Sequence, residues 1–238
     1  DRTWDTGICE SHAMDMMAGL AKSGLKPFFA VYSTFLQRAF DQAFQEVALQ
    51  GLPVRLCLDR AGLVGGDGAV HHGFCDVSIL SVFPDAALMA AMDEASLEAA
   101  LEFMRNYETG LSCVRYPRDD VDERFARDCP PFELGRARAL LRHEDPDIAV
   151  LGYGVMAVTA VEAADAIGPD AKIDVYDARF AKPVDTELIR SLIERKIPIV
   201  TIEDHSITGG FGSAVLAAAH DQGLDTRGIT RLGLPETW

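Results

Sequence analysis

The sequence predicts an α/β protein with two domains, each built around a mostly parallel β-sheet. Apolar runs of strand length alternate with segments whose apolar residues recur at helical spacing. A polar stretch without periodicity, residues 117–133 (PRDDVDERFARDCPPFE), separates one such series from a second and contains three prolines. We therefore predict a first domain at 1–121, a linker at 122–134 and a second domain at 135–238.

In the first domain, three apolar runs predict strands and three amphipathic segments predict helices. The strands are expected at 28–33 (FFAVYS), 54–59 (VRLCLD) and 112–116 (SCVRY). The helices are expected at 11–22, 35–50 and 94–107. Ser11 is a candidate N-cap of the first helix, which we expect to end before Gly24.

The second domain repeats this alternation. Strands are expected at 148–152, 172–177 and 198–203, and helices at 155–167, 185–196 and 212–222. Crossovers between parallel strands are right-handed, and ligands bind at the carboxyl ends of the strands. The loops that follow strands are therefore where function is expected.

Composition excludes several classes of function. With 238 residues, 48% of them hydrophobic, the chain can bury a large core, and its apolar runs are too short to span a membrane. The net charge of −15 argues against nucleic acid and anionic membranes as partners. An odd number of cysteines, five, without a CxxC pair is typical of reduced thiols in a cytoplasmic protein. Because the chain starts at Asp1 rather than Met, we expect a piece of a longer protein.

The loop at 59–73 (DRAGLVGGDGAVHHG) is the main candidate site. Its five glycines allow the backbone to approach a ligand closely, and it follows a predicted strand. A long surface loop with incidental polar groups is an equal alternative. Adjacent histidines, His71 and His72, rarely bind one ion, even with Cys75 nearby, and the GDG at 66–68 lacks a correctly spaced asparagine. We expect no metal site in this chain.

Three further features have both a functional and a structural interpretation. Glu10 lies at the entrance to the first predicted helix, where it is either a catalytic carboxylate or a charge that the helix dipole favours. Arg115 and Arg118 lie at the end of a predicted strand. They are either ligands of a phosphate group or solvated side chains. The glycines at 209–212 precede a helix and could bind an anion or simply form a tight turn.

Several motifs together resemble the transketolase-like, thiamine diphosphate-dependent enzymes, and among them the 1-deoxy-D-xylulose-5-phosphate synthases. The resemblance extends along the whole chain. The motifs are DTGICESH (5–12), YSTFLQRAFDQ (32–42), the DRAG and DG of 59–73, VRYPR (114–118), DARFAKPVD (177–185) and TIEDHSITGGFGS (201–213).

The resemblance implies roles for individual residues near the cofactor. Glu10 would bind N1′ of the aminopyrimidine of thiamine diphosphate, Phe35 would stack on that ring, and Ile8 would contribute to the same pocket. Asp67 and His71 would face the reacting carbon. Both are expected to be catalytic together with Glu10.

The resemblance also implies a binding site for the substrate phosphate. Tyr32, Arg60 and Arg118 would bind the phosphate of glyceraldehyde 3-phosphate, with Arg38 nearby. The implied reaction condenses this aldehyde with pyruvate, with loss of CO₂, to give 1-deoxy-D-xylulose 5-phosphate, a precursor in isoprenoid biosynthesis.

The resemblance further implies a homodimer and a preceding domain that binds the diphosphate and Mg²⁺, so the chain alone is expected to be inactive. Two alternatives stay open. One is the partner chain of a split transketolase or the beta subunit of a 2-oxo acid dehydrogenase. The other is a non-catalytic dimerisation module.

Overall fold

The computed structural model describes residues 2–125 and 129–236. Within these ranges lie two five-stranded sheets with flanking helices, which confirms the predicted α/β class. The predicted linker at 122–134 includes residues 126–128, which lie outside the described residues, as do Asp1 and the last two residues of the second predicted domain.

The first sheet has the strand order β1-β2-β4-β3-β8. Its strands are β1 (Phe28–Tyr32), β2 (Arg55–Asp59), β3 (Ala87–Ala90), β4 (Ser112–Arg115) and β8 (Phe180–Lys182). The first four are parallel to one another, and β8 pairs antiparallel with β3. Because β8 comes from the second half of the sequence, it ties the two sheets together.

Helices α1 (Glu10–Lys22), α3 (Asp76–Leu80) and α4 (Glu94–Asn106) accompany this sheet. The predicted helix at 35–50 is an irregular helical segment: 3₁₀ over Ser33–Ala39, α over Phe40–Gln42 (α2) and π over Ala43–Ala48. The tight first turns follow directly from the end of β1. They place the residues of the YSTFLQRA motif above the sheet's carboxyl edge.

The second sheet has the order β10-β9-β6-β7-β5. It contains β5 (Arg138–Leu141), β6 (Ile148–Gly152), β7 (Ile173–Asp177), β9 (Ile199–Ser206) and β10 (Ile229–Leu234). Only β5 is antiparallel to its neighbour. Helices α5 (Met156–Ile167), α6 (Thr186–Glu194) and α7 (Phe211–Asp221) connect its strands.

One apolar core runs through both sheets. It includes Leu56 and Leu58 of β2, Leu151 of β6 and the stacked pair Tyr153–Phe211, whose ring centroids are 5.2 Å apart. Burial of this surface stabilises the chain by about 25 cal/mol for each Å² of apolar area. The two halves of the sequence are therefore packed against each other through side chains as well as through β8.

Gly152, at the end of β6, lets α5 pack directly on the sheet. A Cβ at this position would lie 2.4 Å from the Cα of Ala157. We expect Gly152→Ala to destabilise the fold by about 1–3 kcal/mol through overpacking, which lowers Tm by about 2–4 °C per kcal/mol. Gly66→Ala is the control, because nothing lies within 4 Å of a Cβ there. Equal melting temperatures for the two variants would contradict this packing.

Candidate functional site

The candidate site lies at the carboxyl edge of the first sheet. Tyr32 ends β1, Asp59 ends β2, and the segment after β4 leads to Arg118. Parallel strands present their carboxyl ends on one edge, so these side chains converge although they are far apart in sequence. The loop from Arg60 to Gly73 covers this edge.

Glu10 is the first residue of α1, where the helix dipole favours a carboxylate. The N-cap is Cys9, which makes no side-chain capping bond. The prediction of Ser11 as the N-cap is therefore wrong: Ser11 lies inside the helix, and its Oγ donates to the carbonyl oxygen of Arg38 at 2.7 Å. This bond attaches the start of α1 to the helical segment after β1.

Arg38 joins Glu10 to Phe35. Its Nη1 donates to Oε1 of Glu10 at 2.8 Å, and its guanidinium carbon lies 4.5 Å from the centroid of the Phe35 ring. The Glu10 side chain is only 11% exposed. The structure therefore brings these three predicted residues together, with Arg38 as a partner of the carboxylate.

Two aromatic rings continue this arrangement toward the loop. Tyr32 and Phe35 stack with centroids 5.3 Å apart and planes 11° from parallel. The Arg60 guanidinium lies 3.9 Å from the centroid of the Tyr32 ring. His71 meets both rings edge-on, at 6.4 Å from Tyr32 and 5.6 Å from Phe35. The stack thus connects the two arginines and places His71 beside it.

Asp67 is the centre of the polar contacts in the loop. Its carboxylate accepts from Nε of Arg60 at 3.2 Å and from Nη1 of Arg118 at 2.5 Å. Its backbone carbonyl lies 2.7 Å from Nδ1 of His71. Because a carbonyl oxygen only accepts, Nδ1 of His71 carries a proton, so in a neutral imidazole Nε2 is the nitrogen with the lone pair.

Arg60 is held as a cation. Desolvation lowers the pKa of its guanidinium, but the hydrogen bond to Asp67 and the nearby carboxylate of Asp59 raise this pKa above its usual value. Its backbone has φ +57°, an uncommon value outside glycine that fits a residue fixed by its surroundings. The side chain is therefore directed over Tyr32 by both backbone and ion pairs.

The remaining predicted residues of this region have other environments. Ile8 is 90% exposed, just before α1. His72 accepts the N–H of Val64 on its Nδ1 at 3.2 Å, so it supports the loop's backbone. Among the described residues, no group of three His, Cys, Asp or Glu side chains is arranged to hold a metal ion.

Arg115 is buried within the protein, so it is neither a solvated side chain nor a ligand that a substrate phosphate can reach. Its Nε donates to Oδ2 of Asp76 at 2.9 Å, and its Nη1 pairs with Asp204 of β9. Of the two arginines at the end of β4, only Arg118, whose side chain is 53% exposed, is accessible to a ligand. Sequence reasoning missed Asp76 and Asp204, which are charged residues at the edges of apolar segments.

The glycine-rich turn before α7 is already occupied by the carboxyl group of Glu203. Its oxygens accept the N–H groups of Phe211 at 2.6 Å and Gly212 at 2.8 Å. These are the free amides of a helix N-terminus, which attract anions. The turn is therefore a structural contact within the second sheet.

Glu203 also predicts a pH dependence of stability. Its burial raises the pKa of the carboxyl to about 7, although both amides and Arg115 favour the anion. The folded chain therefore binds this proton more tightly than the unfolded chain does. The resulting stabilisation is complete below the unfolded pKa of about 4.5 and is lost as pH rises to about 7, a change on the order of 3 kcal/mol.

We expect urea unfolding at pH 5 and pH 8 to show a larger loss of stability in the wild type than in Glu203→Gln. Asp177, whose pKa burial also raises to about 7, contributes in both proteins and cancels in the comparison. Equal losses of stability between pH 5 and pH 8 in the two proteins would contradict the assignment of this pH dependence to Glu203.

A cleft of about 1000 Å³ lies between residues 2–7, α1 and β1. Glu10 lies at its border, together with Met16, Met17 and Phe29. Neither Asp67 nor His71 contributes to its lining. The cleft therefore meets the candidate site only at Glu10.

Two further observations concern predictions made from composition. No helix within residues 2–125 and 129–236 is both long enough and apolar enough to cross a membrane. All five cysteines, Cys9, Cys57, Cys75, Cys113 and Cys129, are free.

Comparison with known families identifies the family of both halves of the chain. The family described as "Transketolase, pyrimidine binding domain" matches residues 1–123, and "Transketolase, C-terminal domain" matches residues 137–237. The chain belongs to the transketolase family of thiamine diphosphate-dependent enzymes.

Among curated proteins, the chain is similar to 1-deoxy-D-xylulose-5-phosphate synthases. It is 42% identical to that of Rhodopirellula baltica, over 99% of this chain and 36% of that protein. It is 43% identical to that of Synechocystis, over 98% of this chain and 36% of that protein. The chain thus spans about a third of the length of these relatives, and it matches them as the quoted motifs predict.

Solved structures agree with the fold. One described as "Split gene transketolase, inactive beta4 tetramer" aligns with TM-score 0.88 and 28% identity, covering 99% of this chain and 76% of that chain. A transketolase of Pichia stipitis aligns with TM-score 0.69 and 18% identity over 82% of this chain and 29% of that one, and supports the fold alone.

Proposed function

We propose that this chain forms the pyrimidine-binding and C-terminal domains of a 1-deoxy-D-xylulose-5-phosphate synthase. The reaction would condense pyruvate with glyceraldehyde 3-phosphate and release CO₂. The observation that carries the proposal is the convergence of Arg60 and Arg118 on one carboxylate, Asp67, beside His71. The identity of 42–43% to synthases of this name supports the same substrates.

The domain limits are part of this proposal: a pyrimidine-binding domain at 1–121, a linker at 122–134 and a C-terminal domain at 135–238. The two family matches support it, since they leave residues 124–136 between them. In the linker, the carbonyl oxygens of Pro130 and Pro131 each accept from Arg179 at 3.0 Å. This part of the linker would therefore be fixed on the second domain.

The residues around Glu10 fit an aminopyrimidine. The Arg38 guanidinium, which is flat and carries N–H groups, lies over Phe35 while it donates to Glu10. A nitrogen heterocycle on the same ring face would reach the same carboxylate, with the aromatic contact supplied by Phe35. The exposed side chain of Ile8 would add an apolar contact.

The chemistry that bound thiamine diphosphate supplies is a carbon nucleophile and an electron sink for decarboxylation. Glu10 would hold the ring nitrogen N1′ by a hydrogen bond and set its protonation. His71, with Nδ1–H donated to Asp67, would offer Nε2 to accept or return a proton at the substrate. The backbone carbonyl of Asp67 would keep His71 in this tautomer, and the Asp67 carboxylate, once a phosphate replaces it between the arginines, would face the reacting carbon.

The substrate phosphate would take the place of the Asp67 carboxylate between the two arginines. Asp67 already shows that an anion fits there, within hydrogen-bond distance of both guanidinium groups. A phosphate has more charge and more acceptor oxygens than a carboxylate, and it matches the guanidinium fork. The hydroxyl of Tyr32, whose ring lies under Arg60, would complete the site.

The diphosphate group and its Mg²⁺ would bind to a domain outside these 238 residues, and the active assembly would be a homodimer. Both parts of the proposal rest on the family to which the chain belongs. A cytoplasmic location is also part of the proposal, and the five free cysteines support it.

A decarboxylation assay tests the proposal. We expect CO₂ release from pyruvate when the chain is combined with the diphosphate-binding domain of a related synthase, thiamine diphosphate, Mg²⁺ and glyceraldehyde 3-phosphate. The chain alone is the control and should release none. If the combined protein binds the cofactor and still leaves pyruvate unchanged, the proposed function is wrong.

A further inference from the structure

The ends of the loop at 60–73 are fixed by a pair of glycines. The N–H of Gly62 donates to the carbonyl of Gly73 at 2.6 Å, and the N–H of Gly73 donates to the carbonyl of Gly62 at 2.9 Å. Arg60 lies just before this pair, while Asp67 and His71 lie between its members. The position of the site residues therefore depends on where this glycine pair is held.

Arg115 of β4 holds one side of the pair. Its Nη2 donates to the carbonyl oxygen of Gly73 at 3.1 Å. The whole residue is only 2% exposed, so its charge needs partners, and these are the carboxylates of Asp76 and Asp204. Asp76 begins α3, whereas Asp204 comes from β9 of the other sheet.

Asp204 also contacts the other side of the pair directly. A Cβ on Gly62 would lie 2.2 Å from Oδ2 of Asp204, so the carboxylate fills the space that a side chain would need. Gly62 has φ +75°, which glycine adopts without strain. Two residues further along β9, the N–H of Ser206 donates to the carbonyl of Phe74 at 3.1 Å, just after the loop.

We propose that Asp204 is a positioning residue for the site, acting from the C-terminal domain through Arg115 and Gly62. It would fix the loop in the position where Arg60 and His71 contact the ring of Tyr32 and where Asp67 pairs with Arg60. The proposal rests on the proposed function for what the loop does, but its structural part stands by itself. The contacts of Asp204 described above are with Arg115 and with the backbone at Gly62, and neither residue is placed in direct contact with substrate.

Asp204 is expected to matter because catalysis is sensitive to small displacements of the loop residues. Removing the Asp204 carboxylate leaves Arg115 with one buried anionic partner and opens a gap beside Gly62. A displacement of a catalytic group by about 1 Å can lower the rate of the catalysed reaction about 10²-fold. Loss of Asp204 should therefore act on the loop first and on the sheets much less.

Amide hydrogen exchange in the cofactor-free protein tests this inference without any turnover. We expect Asp204→Ala to speed exchange of the Gly62 and Gly73 amides at least tenfold relative to the core amides of Leu56 and Val114. Asp204→Asn keeps an oxygen for Arg115 and the shape beside Gly62, so its effect should be smaller. Asp221→Asn, an exposed aspartate of the same domain, should match the wild type.

Two results would overturn the inference. One is unchanged exchange of both glycine amides in Asp204→Ala. The other is acceleration that only parallels Leu56 and Val114, which would show a general loss of stability. In the complemented synthase, Asp204→Ala should raise the KM for glyceraldehyde 3-phosphate about tenfold, and Asp204→Asn should raise it less. A synthase assay that fails for the wild type would refute the proposed function and leave the exchange result intact.

Discussion

Replacement of Glu10 by glutamine is expected to lower turnover by about 10²–10⁴-fold, the usual contribution of a positioned acid or base. Glutamine has the same length and keeps an oxygen for Arg38, which donates to Oε1 at 2.8 Å. What it loses is the ionisable proton and the charge. The helix start should survive, because Cys9 and not Glu10 is the N-cap residue.

The measurement is kcat of the complemented synthase together with its melting temperature. Asp15→Asn is the matched control, since Asp15 is an exposed carboxylate on the same helix. We expect the control to keep full activity and both variants to melt close to the wild type. Wild-type turnover in Glu10→Gln would remove Glu10 from the mechanism.

The second large effect is expected from Arg60→Ala and Arg118→Ala. Each removes a charged hydrogen-bond donor to the substrate phosphate, worth about 1.5–3 kcal/mol, so the KM for glyceraldehyde 3-phosphate should rise about 10- to 150-fold. The KM for pyruvate should change little, because pyruvate has no phosphate. Of the two variants, Arg118→Ala is the cleaner, since Arg118 pairs with Asp67 from an exposed position.

Arg60→Ala has a second consequence that must be separated from the first. Arg60 also pairs with Asp59 and lies on the Tyr32 ring, so its loss also removes support from the loop. Arg227→Ala, an exposed arginine of the second sheet's edge paired with Asp225, is the control for loss of a cation. Equal increases in KM for both substrates in Arg118→Ala would refute the phosphate site.

Much of the architecture could be predicted from sequence, because long apolar strands alternate with helices. The strands expected at 28–33, 54–59 and 112–116 correspond to β1, β2 and β4 within one residue at each end. Strands β3, β5, β8 and β10 were not predicted, and β8 has only three residues, which are too few for a periodic signal. Its antiparallel pairing with β3 joins segments about 90 residues apart, which only tertiary packing decides.

The candidate site residues came from the resemblance of the motifs to the transketolase-like enzymes. This resemblance pointed to Tyr32, Phe35, Asp67 and His71, and the structure places these residues close together. Sequence could not show that Arg38 pairs with Glu10, because the two residues lie on different helical segments. It also missed the partnership of Arg115 and Asp204 across two sheets. The sequence did contain one signal of this buried ion pair. Residues 203–205 (EDH) are three ionisable residues in succession at the end of an apolar strand.

The identity of the donor substrate tests the central claim most directly. The complemented chain would be incubated with glyceraldehyde 3-phosphate and either pyruvate or a ketose phosphate, and the products would be identified by mass spectrometry. We expect 1-deoxy-D-xylulose 5-phosphate from pyruvate and no product from the ketose phosphate. Transfer of a two-carbon unit from the ketose phosphate, with pyruvate left unchanged, would contradict the synthase assignment and identify a split transketolase.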